Sequence, residues 1–227
     1  MVKTTVIDGG DHTMSIKLRL EQPEDYRQTE NMTREAFWNI YSPGCCEHYL
    51  LHVMRSRPAF VGELDYVAKD GDRIIGNVVC VKGIIHGDDG QDYQVLSLGP
   101  ISVLPQYQRS GVGRKMIEHT KEIARNLGYR AILLCGDPDY YSRRGFIPAE
   151  ELGIRTADNM YAAALQACEL YKGALNGISG CYVEDGIYEA DESAVNHFDQ
   201  EFPEKEKISG TPSQLRFLEL AAMRRSV

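Results

Sequence analysis

The residues of this chain best suited to chemistry are Gln108-Arg109-Ser110-Gly111-Val112-Gly113, a short polar turn between an apolar segment and an amphipathic one. A turn of this kind opening a helix is an anion site. The first N–H groups of the helix lack internal partners, and its dipole favours negative charge. Gly111 and Gly113 let phosphates approach the backbone with no Cβ in the way. Arg109, Arg114 and Lys115 add cations around the same turn. The pattern reads as a pyrophosphate clamp. It is not the dinucleotide fingerprint, since Met116 stands where the third glycine belongs, and the chain has no G-x-x-x-x-G-K-[ST] phosphate loop. Both facts weigh against ATP or NAD as the ligand.

The elements that must hold this turn follow from periodicity. From Val112 to Leu127, the residues Val112, Met116, Ile117, Ile123, Ala124 and Leu127 share one helical face. The opposite face is charged, and Gly128 is a natural C′ residue. Ala131 to Cys135 is apolar throughout, as a strand covered on both faces would be. Strand, crossover helix and buried strand make a βαβ unit with the turn at its carboxyl edge. Upstream, Ser15 to Leu20 alternates as a half-buried strand, and Thr4 to Ile7 can add a short one. Helices are expected over Glu24 to Trp38 and Cys46 to Arg55, separated by Ser42-Pro43-Gly44. Strands are expected over Glu63 to Lys69, Arg73 to Ile85 and Tyr93 to Val103, joined by Asp70-Gly71-Asp72 and Asp88-Asp89-Gly90. Gly99-Pro100 inside the last of these demands a bulge. The final strands lie within Met160 to Leu170 and Gly180 to Asp185, followed by helices over Glu192 to Glu201 and Pro212 to Arg225. This tail admits either a cap over the substrate end or an oligomer contact, a homodimer included.

Bulk properties bound the function. A chain of 227 residues with 43% hydrophobic and 26% charged residues can bury a sizeable core as one large domain or one domain with an appendage. Its net charge of −8 argues against a general nucleic-acid binder and permits a cationic substrate. No apolar run is long enough to span a bilayer, and Met1 to Arg19 lacks a signal-peptide pattern. Six cysteines scattered through apolar segments then read as reduced thiols in a cytoplasm.

The turn resembles the acyl-CoA-binding motif of the GNAT-type N-acetyltransferase superfamily, Q/R-x-x-G-x-G/A, carried here by Gln108, Gly111 and Gly113. A second element follows the apolar run, Gly136-Asp137-Pro138-Asp139-Tyr140-Tyr141-Ser142-Arg143-Arg144-Gly145-Phe146. Its tyrosine four residues before a Gly-Phe pair is the other hallmark of that superfamily. The combined GDPxYYxRxGF pattern is similar to a bacterial branch of it. The resemblance is firm over about Val95 to Pro148, looser from about Ile16 to Asp185, and absent from the tail. It implies a mixed α/β GNAT-like fold, mostly antiparallel with one parallel βαβ pair, over residues 1–185; the helices read in the tail make residues 186–227 a C-terminal helical extension.

The resemblance implies direct transfer of an acetyl group from acetyl-CoA to an amine within a ternary complex, with no metal, no nucleic acid and no membrane involved. Gln108, Arg109, Ser110, Gly111, Val112, Gly113 and Arg114 would hold the pyrophosphate. Ile101, Ser102 and Val103 would pair with the extended pantetheine, and a backbone N–H within Leu98 to Ile101 would serve the oxyanion. Tyr141 would protonate the leaving thiolate, since a phenol with pKa near 10 is protonated at neutral pH; Tyr140 is its neighbour in contention. Glu63 is one candidate base. Phe37, Trp38, Tyr41 and the segment Cys45 to His52 would border the acceptor. His48 and His52 are also spaced for one helix face, where Cys45 or Cys46 could join them around zinc, but no second ligand pair exists. The competing reading of the chain is a silent acyl-CoA-binding module.

Overall fold

The computed structural model describes residues 5–7 and 14–227. The main sheet runs β1 (Thr5–Ile7), β2 (Met14–Leu20), β3 (Tyr66–Asp70), β4 (Arg73–Gly87), β5 (Asp92–Val103) and β6 (Ala131–Cys135), and then β10 (Leu165–Glu169) and β7 (Ile147–Pro148). β11 (Gly180–Val183) pairs with the far end of β4 and with β8 (Ile154–Arg155). All of these pairs are antiparallel except β5 with β6 and β11 with β8. The mixed, largely antiparallel sheet expected from the sequence is therefore present. Thr4, named with the first strand, lies outside the described residues.

α1 (Tyr26–Phe37) and α2 (Glu47–Met54) follow the first long strand, and α3 (Val112–Asn126) connects β5 to β6. α3 buries Val112, Met116, Ile117, Thr120 and Ala124, a four-residue spacing that keeps one stripe on the sheet. Leu127, placed on that stripe by periodicity, is the C-cap and is 45% exposed because the helix has already ended. Gly128 carries φ +88°, the left-handed turn that ends the helix. In β6, Ile132 and Leu134 enter the core under α3, while Ala131 and Leu133 enter a second core on the opposite face. A strand covered on both faces has no polar side to alternate with, which is why it reads as an unbroken apolar run.

Two elements differ from expectation. β3 starts at Tyr66, since Gly62–Leu64 forms a 3-10 turn first. The tail also is not wholly helical. After α5 (Glu192–Asp199) and α6 (Pro212–Ala222), the chain turns extended as β12 (Arg224–Ser226) and pairs with β9 (Met160–Ala162). Arg224 is anchored there by Asp158, and the Arg225 guanidinium lies 4.4 Å from the Tyr161 ring centroid. Much of the rest of the tail packs on α1 and α2. Buried Arg34 donates to Asp199, His48 faces Asp199 at 3.2 Å, and the Trp38 indole donates to the Glu206 carbonyl.

Candidate active site

β5 and β6 pair in parallel through only two positions, Leu96 with Ile132 and Ser97 with Leu133. Beyond them β6 stays with β10, while β5 stays with β4 and takes up the extra residue foreseen at Gly99-Pro100. The register with β4 shifts there, and the Gly99–Pro100 peptide is cis. The two strands part, leaving a backbone edge open. Register identifies which groups face it. Leu104 N–H donates to the Ile75 carbonyl, so alternation turns Ser102 toward β4, and Ile101 and Val103 away from it. The Val103 carbonyl accepts from Gln108 Nε2 at 3.1 Å on that open side.

The glycine turn closes one end of this opening. Gly111 sits at φ +90° as the N-cap of α3 with no side chain capping the helix, and Arg109 is also left-handed at φ +61°. The first N–H groups of α3 are therefore available to an anion. A cleft of about 810 Å³ lies against them, lined by Ile101, Val103, Gln108, Arg109, Gly111, Gly113 and Arg114. Arg143 and Arg144 line it too. Four guanidinium groups thus gather at one place on a chain of net charge −8.

Three of the residues expected to bind the cofactor keep their side chains out of the cleft, for different reasons, while the Val112 N–H stays among those that open α3. Ser102 is buried, and its hydroxyl meets Thr33 Oγ1 at 3.0 Å across the core. Val112 is 1% exposed because it begins the buried stripe of α3. The Ser110 hydroxyl donates back to the Tyr107 carbonyl. Lys115 also leaves, donating to the Ile16 carbonyl at 3.2 Å.

The second sequence element is α4 (Pro138–Tyr141), capped by Asp137, whose carboxylate accepts from Asp139 N–H. It separates the two tyrosines. Tyr140 leans over the glycine turn with its hydroxyl against Gly113, and Arg144 stacks 3.4 Å above its ring. Tyr141 turns inward, its ring 5.4 Å from that of Phe146. A Cβ on Gly136 would lie 2.3 Å from the Tyr141 ring, so that glycine permits the close approach. Burial, with Tyr41 and Tyr140 nearby, pushes the Tyr141 phenol well above its ordinary value.

Tyr41, Ile101 and Tyr141 also line a second, narrower pocket of about 210 Å³. Its other walls include Phe37, Leu98, Cys135, Tyr188 and the carboxylates Glu47 and Glu184. Tyr188 donates to the Gly99 carbonyl at 2.8 Å and so fixes the bulge. Burial pushes the Glu47 carboxyl up to about 7 and raises Glu184 as well. Phe37 and Tyr41, expected from the resemblance beside the acceptor, line this pocket; Trp38 turns to the tail, with Arg34 over its ring. Glu47 lies within the segment Cys45 to His52 expected to border the acceptor, whereas Glu184 and Tyr188 had no local signal. Glu63 sits exposed on the 3-10 turn and lines neither cavity.

His48 and His52 do not form a metal pair. His48 lies between Cys45 and Asp199, and His52 is with Glu30. Among the described residues no group of three or more His, Cys, Asp or Glu is arranged to hold a metal ion. A groove of about 820 Å³ over α1, α2 and α5 carries charges that are already paired, Arg55 with Glu30 and Arg27 with Glu201. Among the described residues no helix is long and apolar enough to cross a membrane.

Comparison with known proteins agrees with this geometry. The N-acetyltransferase YhbS of Escherichia coli K12, itself described as uncharacterized, is 28% identical over 164 residues, covering 72% of this chain and 92% of YhbS. The crystal structure of E. coli YhbS in complex with CoA superposes with a TM-score of 0.70 at 26% identity, covering 81% of this chain and 97% of that one. A GNAT family acetyltransferase from Brucella melitensis in complex with acetyl-CoA shares the fold with a TM-score of 0.61 at 24% identity, over 77% and 99% of the two chains. The profile of the acetyltransferase (GNAT) family matches residues 25–147. That span runs from the start of α1 through the opened strand edge and the glycine turn to Phe146, and the chain belongs to the GNAT acetyltransferase family.

Proposed function

We propose that the protein transfers an acetyl group from acetyl-CoA to an amine by direct attack in a ternary complex. One observation carries the reading: an uncapped helix N-terminus ringed by arginines lies at one end of an unpaired strand edge, and Tyr141 stands where that cleft meets a second pocket. The pyrophosphate rests on the N–H groups that open α3, with Arg109, Arg114, Arg143 and Arg144 around it. The pantetheine lies along β5 as an added strand, hydrogen-bonded to Ile101 and Val103. The thioester then reaches Tyr141, with the acceptor amine in the narrower pocket. Attack forms the C–N bond and breaks the C–S bond. The nitrogen loses its proton, and the Tyr141 hydroxyl supplies one to the CoA sulfur. The raised phenol pKa keeps that proton in place before the thiolate forms.

Tyr141 is favoured over Tyr140 for this step because it alone of the two lines both cavities. Residues 186–227 act as an extension closing the acceptor end, since Phe217 stacks on Tyr41 at 5.1 Å and Arg216 binds Asp137. The unpaired thiols of all six cysteines favour a reducing, cytoplasmic setting. The test is calorimetric titration with acetyl-CoA, ATP and NAD, followed by amine-dependent release of CoA. Micromolar binding, about −8 kcal/mol, of acetyl-CoA alone, with turnover, supports the reading. Absence of acetyl-CoA binding overturns it, and binding without turnover on any amine favours a silent acyl-CoA module.

A further inference from the structure

The acceptor pocket is small, closed on one side by aromatic rings, and anionic. Its volume of about 210 Å³ corresponds to about seven water-sized groups at roughly 30 Å³ each. Glu47 enters from the first turn of α2, and Glu184 from the end of β11. No Lys, Arg or His lines the pocket. Two carboxylates in one small cavity repel an incoming carboxylate and are relieved by an incoming ammonium ion.

Resting on the reading above, we propose that this pocket takes the alkylammonium end of a slender, carboxylate-free amine, with Glu47 receiving its proton and Glu184 rejecting anionic acceptors. The step balances. An ammonium nitrogen gives one proton to the Glu47 carboxylate, and its lone pair attacks the thioester carbon. The remaining excess proton on nitrogen replaces the one that Tyr141 delivers to sulfur, and the proton on Glu47 passes to solvent. Tyr41, Cys45 and Cys46 lie beside Glu47, and Cys135, Tyr141, Glu184 and Tyr188 share its pocket; none of them is cationic. Desolvation thus places the Glu47 carboxyl near 7, where it exists as a base at mildly alkaline pH and releases a proton readily. The aromatic walls from Phe37, Tyr41 and Tyr188 suit an unbranched alkyl chain and offer a carboxylate no cationic partner.

The experiment compares acceptors of one length at pH 8: 1,4-diaminobutane, butylamine and 4-aminobutanoate, with a lysine-containing peptide as a fourth. The expected kcat/KM for either amine exceeds that for 4-aminobutanoate at least tenfold, and Glu184→Gln narrows this ratio severalfold. Separately, kcat/KM for butylamine shows a break near pH 7, and Glu47→Gln removes the break and lowers the rate at least tenfold. Equal use of 4-aminobutanoate, acetylation of the peptide alone, or a break that survives in Glu47→Gln overturns the proposal. Acetyl-CoA binding without turnover of the small amines also overturns it, while leaving the cofactor cleft standing. Loss of acetyl-CoA binding itself would instead remove the reading on which the proposal rests.

Discussion

Arg216 in α6 meets Asp137 through two nitrogens, Nε at 3.1 Å and Nη2 at 3.3 Å, and the same Nη2 reaches Asp139 at 3.1 Å. Asp137 is the residue that caps α4, and α4 ends in Tyr141. The guanidinium holds the Asp137 carboxyl below the usual carboxylate range, so the cap stays ionised. The last helix of the chain is in this way tied to the turn that carries Tyr141. Arg216→Met is expected to lower kcat severalfold and leave acetyl-CoA affinity within about twofold, with Arg216→Lys intermediate because a single ammonium cannot replace the fork. Steady-state kinetics with calorimetry on the same samples checks this. An unchanged kcat, or a parallel loss of affinity, would remove Arg216 from a positioning role.

Gly136 stands under the Tyr141 ring, and its backbone, outside the left-handed region, does not itself require glycine. What requires glycine is the 2.3 Å that would separate a Cβ from the ring. Gly136→Ala therefore displaces Tyr141 without touching the arginines. The expected result is a fall in kcat of on the order of tenfold or more, since misplacing a reacting group by about 1 Å is costly. Acetyl-CoA binding should persist. A variant as active as the parent would show that the ring's position does not matter.

Tyr141→Phe removes the proton and keeps most of the packing against Phe146. If the phenol protonates the thiolate, kcat falls by about 10²-fold or more, with acetyl-CoA affinity little changed. Tyr140→Phe serves as the control, because that hydroxyl lies over Gly113 and away from the narrower pocket. The reverse ranking of the two variants would exchange the two assignments.

The parts of this site that sequence could locate are those built locally. Gly111, Gly113 and the four-residue stripe of α3 declare a turn and a helix within one continuous stretch, and β6 declares its double burial by having no polar position. The Gly99-Pro100 irregularity was legible because proline interrupts a ladder wherever it stands. The pair of carboxylates in the narrower pocket was not legible. Glu47 and Glu184 lie far apart along the chain, and each alone is an ordinary acid among many. Glu63 was attractive only as an acid near a strand start, and one 3-10 turn leaves it in solvent. The Ser102 side chain turns inward for a reason of parity: in a strand, the neighbours of two cleft-facing residues face the core.

Gly111→Ala tests the clamp. Its φ of +90° lies where a Cβ costs about 1–2 kcal/mol, yet a Cβ there would meet no protein atom within 4 Å. The stability loss should therefore be modest and come from backbone strain alone. The acetyl-CoA affinity should fall at least tenfold, because the added methyl occupies the approach to the α3 N-terminus. Melting temperature and calorimetric affinity separate the two effects. Unaltered affinity would place the pyrophosphate elsewhere.

Asp65 supplies a prediction about stability that is independent of catalysis. It is buried at the start of β3, where its carboxyl accepts from Asn77 Nδ2 at 3.1 Å, close to Glu21, which Arg55 binds. Burial, reinforced by the neighbouring Glu21 carboxyl, raises Asp65 to about 8, with Arg55 opposing. An unfolded aspartate titrates near 4. Between about pH 4 and pH 8 the folded chain thus holds a proton that the unfolded chain has lost, so the unfolding free energy falls as pH rises across that window and levels above it. Asp65→Asn keeps an oxygen for Asn77 and offers Glu21 an amide N–H, but it cannot ionise. The variant should lose this slope, melting higher than the parent at pH 8.5 and no higher at pH 5. Calorimetric melting curves taken from pH 5 to 9 decide the matter: two parallel pH profiles would mean that Asp65 is already ionised in the folded protein, with Arg55 outweighing burial.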